Sequence, residues 1–187
     1  MKPGWAGFIL SLLMYGLCNA ESAWARELYD LDNAIEKDYK KKYQILLDAT
    51  GGGGIQGFHL YAPEFTRCSS VTKDQALELI LQISEDLLNR INSDPVLVGG
   101  MTSYPFTPKN LGVAIFFRKR DGSFVDIGEP MCIGITSSKI QIGYQTEYNK
   151  KSKWEYLSIF QELQSIDDSR TRFPYLWECV EKSGAGK

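Results

Sequence analysis

The sequence predicts an α+β domain, built as a four-stranded, mainly antiparallel sheet with a long helix packed on one face. Residues 73–94 repeat apolar side chains every three or four positions, which is the period of an amphipathic helix. Residues 113–148 contain short alternating segments separated by turn residues, as paired antiparallel strands do. Two further amphipathic stretches, 22–48 and 153–165, predict helices that flank the sheet on its N- and C-terminal sides.

The first twenty residues have the features of a secretory signal peptide. Lys2 precedes an apolar run ending at Leu17, and the small residues Cys18 and Ala20 occupy positions −3 and −1 of a cleavage site. The run is about thirteen residues, shorter than the roughly twenty that span a bilayer, so we expect no stable transmembrane anchor after cleavage. We predict an exported protein of the cell envelope or the medium. An uncleaved anchor and lipidation of Cys18 remain alternatives, although Leu17 replaces the small residue of a lipoprotein signal.

Composition limits the classes of function. The chain has 187 residues, with 21 Lys+Arg against 23 Asp+Glu and a net charge of −2. Because nucleic-acid binders normally carry a basic excess, we expect no nucleic-acid partner. Without residues 1–20 the chain has the length of one ordinary domain. We place that domain at 51–182, after an amphipathic N-terminal helix within 21–50, and expect a disordered tail at 183–187.

The N-terminal stretch predicts a helix followed by a break. Its apolar residues recur at helical spacing as far as Leu46. This helix could pack on the domain or form a partner-binding stalk, and packing is the expectation that we favour. Gly51-Gly52-Gly53-Gly54 then predicts a flexible hinge. Alternation from Ile55 to Tyr61 predicts a strand that Pro63 ends.

The helix at 73–94 carries the clearest local signals. Thr72 with Gln75 forms a capping-box pattern at its start, and Asp94-Pro95 stops it. Ser84 is the only polar residue in its apolar stripe.

After a proline-containing connection at 95–111 we expect a β meander and a docked aromatic tail, with the following elements in order: a strand at 113–119, a turn at 120–123, a short strand or loop at 124–130, a hairpin of 131–136 with 139–148, and the tail Phe173–Trp177.

No segment carries a catalytic motif. His59 is the only histidine and would have to be the base of any Ser-His or Cys-His catalyst, and nothing around Cys68 resembles a nucleophile signature. The glycine run lacks the Lys-Ser/Thr and the following helix of a phosphate loop. We therefore predict that the protein is not an enzyme, with no catalytic, cofactor-binding or metal-binding residues.

The clustered carboxylates and the cysteines have explanations other than catalysis or metal binding. Asp121, Asp126 and Glu129 lie around a predicted turn, and turn geometry accounts for them better than an acid/base pair. The cysteines that follow the signal, Cys68, Cys132 and Cys179, are too far apart for a CxxC zinc site. Their odd number allows one disulfide at most, and the sequence leaves the pairing open.

Aromatic residues give the best functional indication. An antiparallel sheet often leaves one face uncovered, and exposed aromatic side chains on such a face mark a protein-binding patch. Nine aromatic residues lie in or beside predicted strands: Phe58, Tyr61, Tyr104, Phe106, Phe116, Phe117, Tyr144, Tyr148 and Trp154. Most should belong to the core, and any exposed member becomes a candidate contact residue.

Four segments between the glycine run and the closing hairpin carry a family resemblance. They are Gly51-Gly52-Gly53-Gly54, Leu87-Leu88-Asn89-Arg90-Ile91-Asn92-Ser93-Asp94-Pro95, Tyr104-Pro105-Phe106-Thr107-Pro108-Lys109-Asn110-Leu111 and Asp121-Gly122. Together with the hairpin they resemble a family of small exported proteins of intracellular bacteria, over roughly residues 36–165. The resemblance implies export and an α+β domain. It implies no activity and no catalytic residues. Some members look like lipoproteins, and Leu17 departs from that pattern.

These observations together favour a non-enzymatic exported protein that binds another, unidentified protein. The alternative is a small-ligand binder or an unrecognised envelope hydrolase, which would need a pocket that gathers His59 with a carboxylate or with Cys68. A structural envelope component that assembles through residues 22–48 is a third hypothesis.

Overall fold

The computed structural model describes residues 22–53, 57–137, 139–147 and 150–182. The predicted signal peptide at 1–20, Gly54, Tyr148 and the predicted tail at 183–187 lie outside the described residues. The structure is an α+β fold with six α-helices and six strands in the described part of the chain. The helices are α1 Ala23–Lys42, α2 Lys73–Ser93, α3 Pro95–Gly100, α4 Ile159–Ser165, α5 Ser169–Arg172 and α6 Pro174–Lys182, with a 3-10 turn at Pro108–Asn110. The strands are β1 Leu46–Gly53, β2 Leu60–Arg67, β3 Ala114–Phe117, β4 Pro130–Thr136, β5 Lys139–Tyr144 and β6 Lys153–Ser158.

The sheet corrects the predicted one in size and type. It has six strands in the order β1-β2-β3-β4-β5-β6, where four mainly antiparallel strands were expected. It is mixed because β2 and β3 run parallel, while all the other neighbours are antiparallel. The reason is that α2 carries the chain from one end of the sheet back to the other, and such a crossover joins parallel strands.

The N-terminal prediction of a helix at 22–48 and a glycine hinge is wrong in its second half. Helix α1 ends at Lys42, and β1 begins four residues later. Gly51, Gly52 and Gly53 pair with β2 and are therefore part of a strand, not of a hinge. Pro63 does not end its strand either, because it lies within β2 opposite Thr50. Pairing between β1 and β2 overrides the local propensity of these residues.

Helix α2 confirms the predicted helix almost to the residue. The Thr72 hydroxyl accepts a hydrogen bond from the Gln75 amide at 3.2 Å, and the Gln75 side chain accepts one from the Thr72 amide at 3.0 Å. Ser84 is buried and donates to the carbonyl oxygen of Ile80 at 2.7 Å, which satisfies its hydroxyl inside the core. Asp94 ends α2 and caps α3 by accepting from the amides of Val96 and Leu97.

The predicted closing helix at 153–165 is half strand. Lys153–Ser158 forms the edge strand β6, and the helix starts only at Ile159. The aromatic tail docks as predicted, with Phe173 and Leu176 buried. Its helix α6 begins against α2, where the Glu85 carboxylate accepts hydrogen bonds from the amides of Tyr175 and Leu176, both at 2.7 Å. A carboxylate from another helix therefore satisfies the free amides at the start of α6.

Helix α1 packs on the domain and is not a detached stalk. Its Tyr39 is buried against α2, where the hydroxyl donates to Asp86 at 2.7 Å. Its Asp32 accepts a hydrogen bond from the buried Tyr61 of β2. At its first turn, the side chain of Trp24 lies directly against Gly100 of α3. The N-terminal helix is therefore held along its whole length by the layer of helices and by the sheet.

Gly100→Ala should loosen this packing. A β-carbon at position 100 would lie 2.3 Å from the Trp24 Cβ, so α1 or α3 must shift, and overpacking of this kind costs about 1–3 kcal/mol. Gly99→Ala in the same helix meets nothing within 4 Å and is the matched control, with a neutral effect or a small gain in stability. Urea unfolding measures both variants. Equal free energies of unfolding for the two would contradict this packing of α1.

Candidate functional site

The two faces of the sheet differ in burial. One face carries the buried apolar residues of the core, and helices α1 and α2 lie against it. The other, here called the open face, consists of side chains that alternate with those core residues and are mostly exposed or half-buried. Its central strands place them in two rows. One row is Phe116, Cys132, Gly143 and Trp154, and the other is Ala114, Gly134, Gln141 and Tyr156.

The rows create a groove because small residues lie between large ones. Ala114, Gly134 and Cys132 form a low floor between the rings of Phe116 and Trp154. The groove has a volume of about 220 Å³, and the described residues that line it are all uncharged. Trp154 is 43 % exposed and Tyr156 is 62 % exposed, both on the edge strand β6. Large apolar side chains that stay in water beside an uncharged groove are typical of a binding surface.

Gly143, next to the groove, explains how Cys132 and Trp154 fit beside each other. A β-carbon there would lie 2.7 Å from the Cys132 sulfur and 3.1 Å from the Trp154 ring, so only glycine lets both side chains occupy this space. Trp154 thus lies across a glycine on the neighbouring strand, an arrangement that shields the exposed backbone of that glycine. Burial raises the pKa of the Cys132 thiol, which keeps it protonated and unreactive at neutral pH.

A positively charged side chain lies at each end of the groove. Arg118 follows Phe116 on the same face, and its guanidinium lies 4.3 Å from the ring centre of Phe124, which is itself exposed. Lys139 precedes Gln141 at the opposite end, where it pairs with Thr136. Among the described residues neither cation forms an ion pair. The groove is therefore uncharged with a cation at each end, and the exposed carboxylate of Glu64 in β2 lies beside Ala114 on the same face.

The predicted aromatic residues divide between the core and the surface. Phe58, Tyr61, Phe106 and Phe117 are buried in the core. Phe116 and Trp154 belong to the open face, Tyr144 is half-buried, and Tyr104 is exposed on a loop away from it.

Sequence reasoning missed Tyr156 and the small residues of the floor. The helix predicted at 153–165 includes Tyr156, although the alternation of Tyr156 with Glu155 and Leu157 is a strand signal.

The residues considered for catalysis do not come together. His59 and Cys68 are both exposed, and neither lines the groove. Cys68 and Cys132 are free thiols, and the side chain of Cys179 lies outside the described part of the chain. Among the described residues no group of three His, Cys, Asp or Glu side chains could hold a metal ion.

The carboxylates of the loop form contacts within the loop. Asp121 accepts hydrogen bonds from the amide and hydroxyl of Ser123, and these bonds hold the pKa of Asp121 below its usual value. Asp126 pairs with Lys119 at 2.6 Å, and its amide donates to Glu129. Each of these carboxylates thus has a structural partner within the loop.

Comparison of the chain with protein-family models, with curated proteins and with solved structures found no match. The resemblance to small exported proteins of intracellular bacteria stays a prediction. Within the described residues, no helix is long and apolar enough to cross a membrane.

Proposed function

We propose that the protein is a non-enzymatic binding module that holds a segment of another protein against the open face of its sheet. The observation that carries the proposal is the uncharged groove between Phe116 and Trp154. We further propose that binding takes place after export, in the cell envelope or outside the cell, since residues 1–20 have the pattern of a signal peptide.

The size of the groove specifies what part of the partner enters it. Its volume of about 220 Å³ is below the roughly 300–1,000 Å³ of typical small-molecule sites. It suits one large apolar side chain, such as leucine, methionine or phenylalanine. Trp154 and Tyr156 extend the contact beyond the groove, and aromatic residues of this kind contribute most to the affinity of protein interfaces.

The charges specify the flanks of the partner segment. Arg118 and Lys139 stand at opposite ends of the groove, each about two residues of strand away from a side chain that lines it. Acidic residues on either side of the apolar anchor would face these cations and steer the association. The proposed occupant is therefore a peptide segment with one bulky apolar residue between acidic residues.

A displayed library of random peptides tests this occupant directly. Selection on residues 21–187 should enrich sequences with a single large apolar residue flanked by Asp or Glu. Trp154→Ser should weaken the binding of an enriched peptide at least tenfold, about 1.4 kcal/mol or more, because it removes one wall of the groove. Tyr29→Ser is the matched control, since Tyr29 is 66 % exposed on α1 of the helical layer and should leave the affinity unchanged.

Three outcomes would contradict the proposal. Enriched peptides could lack the apolar anchor, or could bind the wild-type protein and Trp154→Ser equally. The third outcome is self-association of the wild-type protein that Trp154→Ser abolishes. Sedimentation velocity would detect it and would assign the open face to a second copy of this chain instead of to a partner.

A further inference from the structure

A second concave region lies on the opposite side of the molecule, in the layer of helices. It consists of two adjoining cavities of about 700 and 260 Å³, which share Lys42, Tyr43 and Gln82. They lie between the end of α1, the exposed side of α2 and the segment that leads into α6. The larger cavity alone falls within the size range of sites for small organic molecules, which the groove of the open face does not reach.

Arg67, which lines the smaller cavity, has a hydrogen-bond donor without an acceptor among the described residues. It lines this cavity from the end of β2 and forms no ion pair among the described residues. Its Nε atom is buried and has no hydrogen-bond partner within the described part of the chain. Buried donors are nearly always paired in folded proteins, and a charged one is the most costly to leave unpaired. The buried Nε of a residue that lines the cavity therefore lacks an acceptor among the described residues.

Lys42 adds a second positive charge at the place where the two cavities meet. Its ammonium group lies 4.8 Å from the centre of the Tyr43 ring, and a hydrogen bond to Tyr43 raises the pKa of Lys42 above its usual value. Lys42 feels the charge of Asp86, but the two do not form an ion pair. It is therefore fully charged and, like Arg67, without a carboxylate bound to it among the described residues.

The carboxylates around the cavities are already engaged. Glu78 pairs with Arg172 and accepts a hydrogen bond from Gln82. Glu85 accepts the two amide hydrogen bonds at the start of α6, and Asp86 pairs with Arg90 at 2.7 Å. Arg172 and Arg90 balance the charges of Glu78 and Asp86, whereas Glu85 lines only the larger cavity and keeps its charge. The smaller cavity is therefore lined by Arg67, Lys42 and one acidic residue, Glu78, whose charge is already balanced.

Gln44 also lines the smaller cavity. Its left-handed conformation, with φ of 57°, is the one that ends α1, where the Ile45 amide donates to the Tyr39 carbonyl oxygen at 3.5 Å. The amide of Gln44, the hydroxyl of Tyr43 and the amide of Gln75 line the same wall and are groups that can donate to an anion.

We propose that Arg67 and Lys42 bind the oxyanion of a small organic ligand, a carboxylate or a phosphate group. The planar guanidinium suits both, because its N–H groups can donate in parallel to two oxygens of either anion. The rest of the ligand would extend into the larger cavity, beside the rings of Phe173 and Tyr175. This site is separate from the open face, and neither proposal depends on the other.

Two probes at constant ionic strength separate the possible sources of the oxyanion. Inorganic phosphate and succinate are titrated into ¹⁵N-labelled residues 21–187, and amide shifts are followed at positions 44, 67 and 82. Saturable shifts with at least one probe are expected. Saturation by phosphate alone assigns a phosphate ligand, and saturation by succinate alone assigns a carboxylate ligand. Binding of both probes assigns an oxyanion site of broad specificity.

Substitutions of Arg67 and Lys42 test whether these two residues bind the probe. Arg67→Gln and Lys42→Gln should each weaken binding of the saturating probe at least tenfold. Arg26→Gln is the control, since Arg26 is exposed on α1, forms no ion pair among the described residues and lines neither cavity, and it should bind like the wild-type protein. Lys42 is exposed, so its variant folds even if that of Arg67 does not. Shifts that never saturate, or that persist unchanged in Lys42→Gln, would overturn the proposal.

Discussion

Phe65→Ala should lower the free energy of unfolding by about 3–5 kcal/mol, the cost of truncating a buried aromatic residue. Phe65 lies in β2 with no exposed surface, and the ring centre of Tyr39 of α1 lies 5.7 Å from its own. The truncation would thus leave an internal cavity where α1, α2 and the sheet meet. A loss of this size is a large part of the roughly 5–15 kcal/mol of a typical domain, so the variant should be partly unfolded at physiological temperature.

Urea unfolding of Phe65→Ala, followed by circular dichroism, measures this loss. Phe124→Ala is the matched control, because Phe124 is 60 % exposed and its truncation removes no core contact. Its effect should remain near 0.5 kcal/mol. Equal losses for the two variants would mean that the interior between α1 and β2 is not packed as the structure has it.

Asn92→Leu is expected to cost about 2–4 kcal/mol although leucine is similar in size and more apolar. The Asn92 side chain is buried at the end of α2, where it accepts a hydrogen bond from the amide of Phe106 at 2.7 Å and donates to its carbonyl oxygen at 2.8 Å. Leucine removes both bonds from a place that water does not reach, and each such loss costs about 1–3 kcal/mol. These bonds fix the connection between α3 and β3 on the core.

Asn89→Leu is the control for this variant, since Asn89 is exposed one turn earlier in the same helix. It should change stability by less than about 0.5 kcal/mol. Asn92→Asp adds a pH test. Ionised aspartate can only accept, whereas its protonated form can also donate to the Phe106 carbonyl. Burial raises its folded-state pKa, so the deficit of Asn92→Asp should shrink as the pH falls from 7 to 4. Equal deficits at both pH values would contradict this role.

Helix α2 and strands β3 to β5 could be predicted because their signals are local. Thr72 and Gln75 form the capping box from residues three positions apart, and the apolar stripe of α2 needs no knowledge of its partners. Strand β1 has no such signal. Its side chains are mostly exposed, three of its eight residues are glycine, and it exists because its backbone pairs with β2. Local periodicity therefore extended α1 past its true end at Lys42.

The sequence predicts what kind of site to expect, but not the groove or the full set of residues that form it. The sequence predicts exposed aromatic residues on an uncovered face, and Phe116 and Trp154 are among the candidates. Which aromatic residues share a face depends on the register between neighbouring strands, and a shift of one residue would reverse the faces. The groove also depends on residues with almost no side chain, such as Gly134 and Gly143, and composition patterns do not reveal these.

The strand order has a consequence for how the chain folds. Because the strands follow one another in space as they do in sequence, four of the five pairings close over short segments. Only β2 and β3 must meet across the long segment 68–113, which contains all of α2. Closing this long segment has the largest entropy cost of any strand pairing in the sheet. Early formation of the well-capped α2 makes the segment shorter and stiffer, so β2 and β3 have fewer arrangements to search before they pair. The assembly rate of the whole sheet should therefore follow the helical stability of α2 more closely than that of any hairpin.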